Sequence, residues 1–134
     1  MAGGDRDAPQ TVSEMIGLVI DSASSTEVLA HIDIDERHHQ GSGTVHGGVY
    51  AHVIESIATI GASIAVRDSG QGAVGISNQT DFLRPFARGR LGIVGRAVQQ
   101  GRTLQLWLVE ISNGEGKLVS RGQVRMFNQA ASRT

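Results

Sequence analysis

The sequence predicts an α+β domain in which an antiparallel sheet of about six strands wraps around one long central helix. Three observations predict it. One stretch, from His46 or Gly47 to about Val66, carries apolar residues at helical spacing: Val49, Val53, Ile57, Ile60 and Ile64. Strand-like segments lie on either side of it, two before and four after. The four that follow are separated only by short Gly-, Pro- and Asn-containing turns, which favours antiparallel pairing.

In chain order, Met15 to Asp21 is β-branched and apolar and reads as the first strand. Thr26 to Asp35 alternates, with Val28, Ala30, Ile32 and Ile34 on one face, as a half-buried strand does. Glu36 to Thr44 is polar and reads as a loop. In the helix, small residues (Ala51, Ser56, Ala58, Gly61, Ala62, Ser63, Ala65) cover much of the remaining surface, so it can be packed closely on several sides. Asp68 to Gly72 is a turn, and strands follow at about 73–82, 90–99, 103–112 and 117–128. The separator Asn113-Gly114-Glu115-Gly116 is a hairpin signal. Trp107 and Phe127 are expected in the core. One helix on one curved sheet leaves a sheet edge in need of a partner, which predicts at least a dimer.

The chain has 134 residues, enough for a single domain, placed at 11–128 between an N-terminal tail (1–10) and a C-terminal tail (129–134). A net charge of −1 without a basic run argues against nucleic acid as a partner. The absence of cysteine excludes thiolate nucleophiles and Cys-ligated metals and fits a cytoplasmic protein. No apolar run is read as approaching the roughly 20 residues that span a bilayer, and the N-terminus lacks the apolar core of a signal peptide, so no membrane association is expected. His38, His39, His46 and His52 match no helical i, i+4 metal pair and read as surface or turn histidines, with no metal expected.

The stretch that carries chemistry runs from Gln40 to Glu55. Gly47 and Gly48 permit a sharp turn and close approach of a ligand to the backbone. A helix starting there aims unpaired N–H groups and the positive end of its dipole at whatever lies in front. That suits a carbonyl oxygen gaining negative charge during acyl transfer. Glu55 is the only acidic residue between Glu36 and Asp68, so it reads as a base or nucleophile rather than a solvated helix residue.

Val45-His46-Gly47-Gly48 followed by Glu55 on a central helix resembles the hotdog-fold acyl-CoA thioesterases of the phenylacetic-acid-pathway (PaaI-like) type. Within that group the chain is most similar to the glutamate-dependent 4-hydroxybenzoyl-CoA thioesterases. The similarity continues through Gly75-Ile-Ser-Asn-Gln-Thr-Asp-Phe-Leu-Arg-Pro85, Gly89, Gly101, Thr103 and Trp107, and spans about Met15 to Phe127. It implies a thioesterase acting on an aromatic or medium-chain acyl-CoA, with no cofactor beyond the CoA of the substrate. It implies that the Gly47 N–H polarises the thioester carbonyl and that Glu55 is nucleophile or general base. Gln40 would orient the thioester, Thr59 would position water, and His46 would shape the turn. Gly48, Asn78, Arg84, Arg102 and Thr103 would lie along the substrate and its CoA phosphates, for which arginine's planar fork of donors is suited. Gln40, Arg84 and Thr59 each also have a plain reading, as loop, basic turn and helix-packing hydroxyl.

Glu55 follows Gly47 by eight residues, about 12 Å along a helix. One carbonyl cannot touch both on one straight helix, so the Gly47 of one subunit is expected to work with the Glu55 of another. That makes a homodimer the minimum active unit, with a homotetramer as a dimer of dimers. Thr59, four residues beyond Glu55, shares its helix face. Partial burial at the interface would raise the pKa of Glu55 toward that of a useful base. Two other functions use the same residues: an enoyl-thioester hydratase or dehydratase pairing His46 with Glu55, and a non-catalytic acyl-CoA-binding module with no need of Glu55.

Overall fold

A computed structural model describes residues 9–130. Most of the two expected tails, residues 1–8 and 131–134, lies outside the described residues. The elements are α1 (Val12–Ile16), β1 (Leu18–Ala23), β2 (Glu27–Ile34), α2 (Gly47–Val66), β3 (Gln71–Phe82), β4 (Gly89–Gln100), β5 (Leu104–Ser112) and β6 (Leu118–Ala130). Single 3-10 turns occupy Glu36–His38 and Arg67–Ser69.

The first strand starts later than the sequence suggests. Thr11 and Glu14 form a reciprocal capping box, in which the Thr11 hydroxyl accepts the Glu14 N–H and the Glu14 carboxylate accepts the Thr11 N–H. This nucleates a short helix over Met15, and Gly17 ends it at φ 75°. At its other end the chain continues as strand to Ala130, beyond the Asn128 at which the sequence pattern closes.

The six strands form one antiparallel sheet in the order β1-β2-β4-β5-β6-β3. β3 does not pair with its sequence neighbour β4. It crosses to β6 and so becomes an edge strand, with β1 at the opposite edge. Register shifts interrupt the pairing at Ile20/Ser22, Gly75/Ser77 and Ala97/Gln99. Such bulges bend strands and increase their twist, which lets the sheet curl around α2.

The concave face is built by period-two alternation. Val28, Ala30, Ile32 and Ile34 of β2 all point inward, as do Trp107, Val109 and Ile111 of β5. Val124 and Met126 also face inward, and the same period puts Phe127 on the outer face, against the expectation for it.

The buried side of α2 comprises Tyr50, Val53, Ile54, Ile57, Ala58, Gly61 and Ala62. Relative to the expected stripe it is rotated toward the small residues, leaving Val49, Ile60 and Ile64 only partly covered. The cause is the size of Trp107, for a Cβ on Gly61 would stand 2.2 Å from its ring. A Cβ on Gly95 of β4 would likewise meet Ile57 at 2.5 Å, so glycines on both surfaces allow helix and sheet to approach. One sequence expectation is corrected here, because the helical stretch Gly47–Ser69 is long and apolar enough to cross a membrane. In this fold the helix packs on the sheet through Val53, Ile54, Ile57, Ala58 and Ala62.

Candidate active site at the first turn of the central helix

The segment between β2 and α2 is tied down by histidines. The His38 ring is buried, not at the surface as its sequence context suggests. Its Nδ1 accepts the Asp35 N–H at 3.0 Å, and Nε2 then donates to the Ile16 carbonyl at 2.7 Å. His39 Nε2 donates to the Ala87 carbonyl at 2.6 Å, and the Val45 N–H bonds the Phe86 carbonyl at 3.0 Å. The His46 N–H bonds the His38 carbonyl at 2.9 Å. The loop before α2 is thereby fixed to the loop after β3 and to the end of α1.

His46 is the N-cap of α2. Its Nδ1 accepts the Gly48 N–H at 2.7 Å, and its carbonyl accepts the Val49 N–H at 3.0 Å. The cap passes over Gly47, whose N–H has no acceptor among the described residues. Gly47 borders a cavity of about 420 Å³, together with Gln40, Thr44, Val45, Tyr50 and residues 82–86. The Phe82 ring lies so close that a Cβ on Gly47 would meet it at 2.9 Å.

Three sequence-predicted residues therefore share one cavity: Gln40, Gly47 and Arg84. The Gln40 side-chain amide donates to Ser42 Oγ at 3.2 Å and Thr44 Oγ1 at 3.3 Å. Arg84 is exposed and makes no ion pair among the described residues.

Glu55 lies elsewhere. It is exposed, does not border the cavity, and leans on the edge strand, where a Cβ on Gly75 would stand 3.5 Å from its carboxyl carbon. The Thr59 hydroxyl donates to the Glu55 backbone carbonyl at 2.8 Å, leaving its oxygen able to accept. Asn78 bridges β3 to the helix, donating to the Ala51 carbonyl at 3.0 Å and accepting from Thr80 at 2.7 Å. Gly48 is exposed with its N–H spent on the cap. Arg102 and Thr103 occupy the β4–β5 turn, away from the cavity lining. Asn128 holds that turn by donating to the Gly101 and Arg102 carbonyls at 3.1 Å.

His52, one turn into α2, is partly buried. Its Nε2 lies 2.8 Å from Ser13 Oγ and 3.2 Å from Ser56 Oγ. Burial lowers its pKa from the usual imidazole value, against an opposing pull from the Glu55 carboxylate.

Sequence reasoning missed the aromatic lining: Tyr50, Phe82 and Phe86. Tyr50 had a legible signal, since it follows Gly47 by three residues and so shares its helix face. Phe82 and Phe86 had none, because only the crossing of β3 brings its end to the first turn of α2.

A six-stranded antiparallel sheet curled around one long helix, together with the family match, defines the class: a hotdog-fold thioester hydrolase. The family described as the Thioesterase superfamily matches residues 42–120, more than half of the chain, and the protein belongs to it. A Mycobacterium tuberculosis protein named "Putative esterase Rv1847" is 37% identical over 118 residues, covering 87% of this chain and 84% of the relative. The solved structure of that protein superposes with a TM-score of 0.86, covering 90% of this chain and 97% of the other at 36% identity. The crystal structure of S. sahachiroi AziG gives a TM-score of 0.87 at 35% identity, covering 91% and 98%. The Arabidopsis thaliana protein named 1,4-dihydroxy-2-naphthoyl-CoA thioesterase 2 is 34% identical over 100 residues, covering 73% of this chain and 62% of the relative.

Proposed function

We propose that this enzyme hydrolyses the thioester of an acyl-CoA carrying an aromatic or medium-sized acyl group, in the manner of the 4-hydroxybenzoyl-CoA thioesterases of the PaaI-like group. The observation that carries the reading is the Gly47 N–H, left without an acceptor beside a cavity lined by three aromatic rings. A thioester carbonyl seated there receives a donor at the positive end of α2, where charge developing on oxygen is most stabilised. The Gln40 amide borders the same space and orients the thioester. The acyl group lies among Val45, Tyr50, Phe82 and Phe86. The CoA phosphates extend toward exposed arginines, with Arg84 at the cavity and Arg102 and Thr103 of a partner or neighbouring turn further out. The naming of the Arabidopsis relative as an aryl-CoA thioesterase supports an aromatic acyl group.

Glu55 acts from a second subunit. It sits two turns beyond Gly47 on the same continuous helix, outside the cavity and beside the edge strand β3. An edge strand of 12 residues, with Val74 and Ile76 exposed, suits pairing with its own copy, which would carry each Glu55 toward the other subunit. There Glu55 serves as general base for water or as nucleophile, with the Thr59 oxygen holding the water. The hydratase reading is disfavoured by His46, whose Nδ1 is engaged by its own helix.

Thiol release from aromatic, short, medium and long acyl-CoAs tests the proposal. Turnover is expected to concentrate in one class and to fall about 10²–10⁴-fold in Glu55→Ala at unchanged melting temperature. Mixing Glu55→Ala with an inactive Gly47→Val protein is expected to restore part of the activity. Full activity in Glu55→Ala sinks the assigned role. A failure to complement, with subunit exchange demonstrated, sinks the shared site.

A further inference from the structure

Most of the concave face of the sheet is lined by buried apolar side chains, Ile93, Val109 and Val124 among them. The edge strand β3 instead turns two polar residues, Asn78 and Thr80, toward the helix. In register they stand beside Val124 and Gly122 of β6. A Cβ on Gly122 would meet Thr80 Oγ1 at 3.0 Å and Ile54 of α2 at 2.9 Å, so the glycine leaves room for the threonine between strand and helix.

The two polar groups form a directed chain. The Thr80 hydroxyl donates to Asn78 Oδ1 at 2.7 Å, and the Asn78 amide nitrogen donates to the Ala51 carbonyl at 3.0 Å. A backbone carbonyl only accepts, so the amide must face it through nitrogen, which leaves the oxygen for the hydroxyl. The Ala51 carbonyl is also the one to which helical geometry directs the N–H of Glu55, four residues on. Asn78 therefore bonds the edge strand to the carbonyl that holds the backbone of Glu55. The strand meets Glu55 a second time at Gly75, where a Cβ would stand 3.5 Å from the carboxyl carbon.

A leucine and a valine of similar shape would complete the apolar face without desolvating an amide and a hydroxyl. Resting on the reading of Glu55 as base or nucleophile, we propose that Asn78 is a positioning residue. It straps the edge strand to the turn of α2 that carries Glu55, and so sets where that carboxylate stands relative to the seam with the second subunit. Its oxygen and one amide hydrogen are spent inside the fold. Its effect on the reaction is exerted through Glu55 and not by contact with the substrate.

The test measures kcat and KM of Asn78→Leu, Thr80→Val, Thr80→Ser and the double variant Asn78→Leu with Thr80→Val, on the acyl-CoA that the native enzyme turns over fastest. The double variant replaces both polar partners by apolar groups, a change that leaves stability nearly unaltered, so a folded protein is available whatever the single variants do. In Asn78→Leu and in the double variant kcat is expected to fall about 10- to 100-fold, the cost of a misplacement of about 1 Å at a reacting group, with KM within about 3-fold of native. Thr80→Ser keeps the hydroxyl and should keep kcat, whereas Thr80→Val should lose part of it. Added to Glu55→Ala, Asn78→Leu should change the residual rate by less than about 2-fold, because residues that act through one group are not additive. A native kcat in the folded double variant overturns the proposal. So does a rise in KM alone, which would return Asn78 to the substrate, and so does an undiminished loss in the Glu55→Ala background. Full activity in Glu55→Ala by itself is a separate failure: it removes the reading of Glu55, and the positioning role with it.

Discussion

The two ends of α2 are built on opposite terms. Around Gly61 and Ala62 the helix meets Trp107 and a polar cluster in which every group is paired. Gln105 donates to the Ala62 carbonyl at 3.1 Å and to Asn128 Oδ1 at 2.9 Å, and accepts from Trp107 Nε1 at 2.9 Å and from Gln100 at 3.0 Å. Around Gly47 the same helix leaves a backbone N–H without a partner at the cavity, and the buried Tyr50 hydroxyl is unpaired as well. Helix and sheet supply both ends, and both ends use a glycine pressed against an aromatic ring. They differ in what faces the ring. Trp107 is wholly buried, whereas Phe82 is 61% exposed. Polar groups are satisfied at the packed end and left unpaired at the end that borders the cavity.

Substitutions at the two glycines should separate these roles. Gly47→Ala brings a Cβ to 2.9 Å from Phe82, a ring with room to move outward. The expected effect is on rate. A displacement of the N–H by a fraction of an ångström should cost on the order of 10²-fold in kcat/KM with little change in melting temperature. Adding Phe82→Ala should recover part of that loss. A large loss of stability with activity retained per folded molecule would erase the distinction between the two ends.

Gly61→Ala is the converse experiment. Its Cβ would stand 2.2 Å from a tryptophan that has nowhere to go. Overpacking of this kind costs about 1–3 kcal/mol, read as a lower denaturant midpoint, while the kcat/KM of the folded protein should stay near native. Unchanged stability would mean that the Trp107 end is looser than its contacts imply.

The smallest effect concerns pH. Burial lowers the His52 pKa, so the folded state binds this proton less readily than the unfolded chain. The sign follows: stability is full above the unfolded histidine value of about 6.5 and falls as pH drops below it, down to the folded pKa. His52→Gln should flatten that part of the stability profile below about pH 6.5, measured by thermal melts across pH. A slope that persists in His52→Gln would place the titrating group elsewhere.

The sequence by itself determined the element types. Period-two alternation in β2, a 3.6-residue period after Gly47 and the Asn113–Gly116 turn are local signals that depend only on near neighbours. It also placed Gly47 and Glu55 two turns apart on one helix, because helical rise is fixed. The helix around Met15 was legible too, in the local capping box of Thr11 with Glu14, which outweighed the apolar pattern. Only the tertiary structure decided the rest. Which face of α2 is buried depended on the volume of Trp107, on the third strand after the helix, which the helix pattern does not encode locally. The cavity needed β3 to leave β4 and pair with β6, which brings Phe82 against Gly47 across 35 residues of chain. Periodicity records which side of an element is apolar; what that side touches is settled by strand order and by the volumes that must fit between sheet and helix.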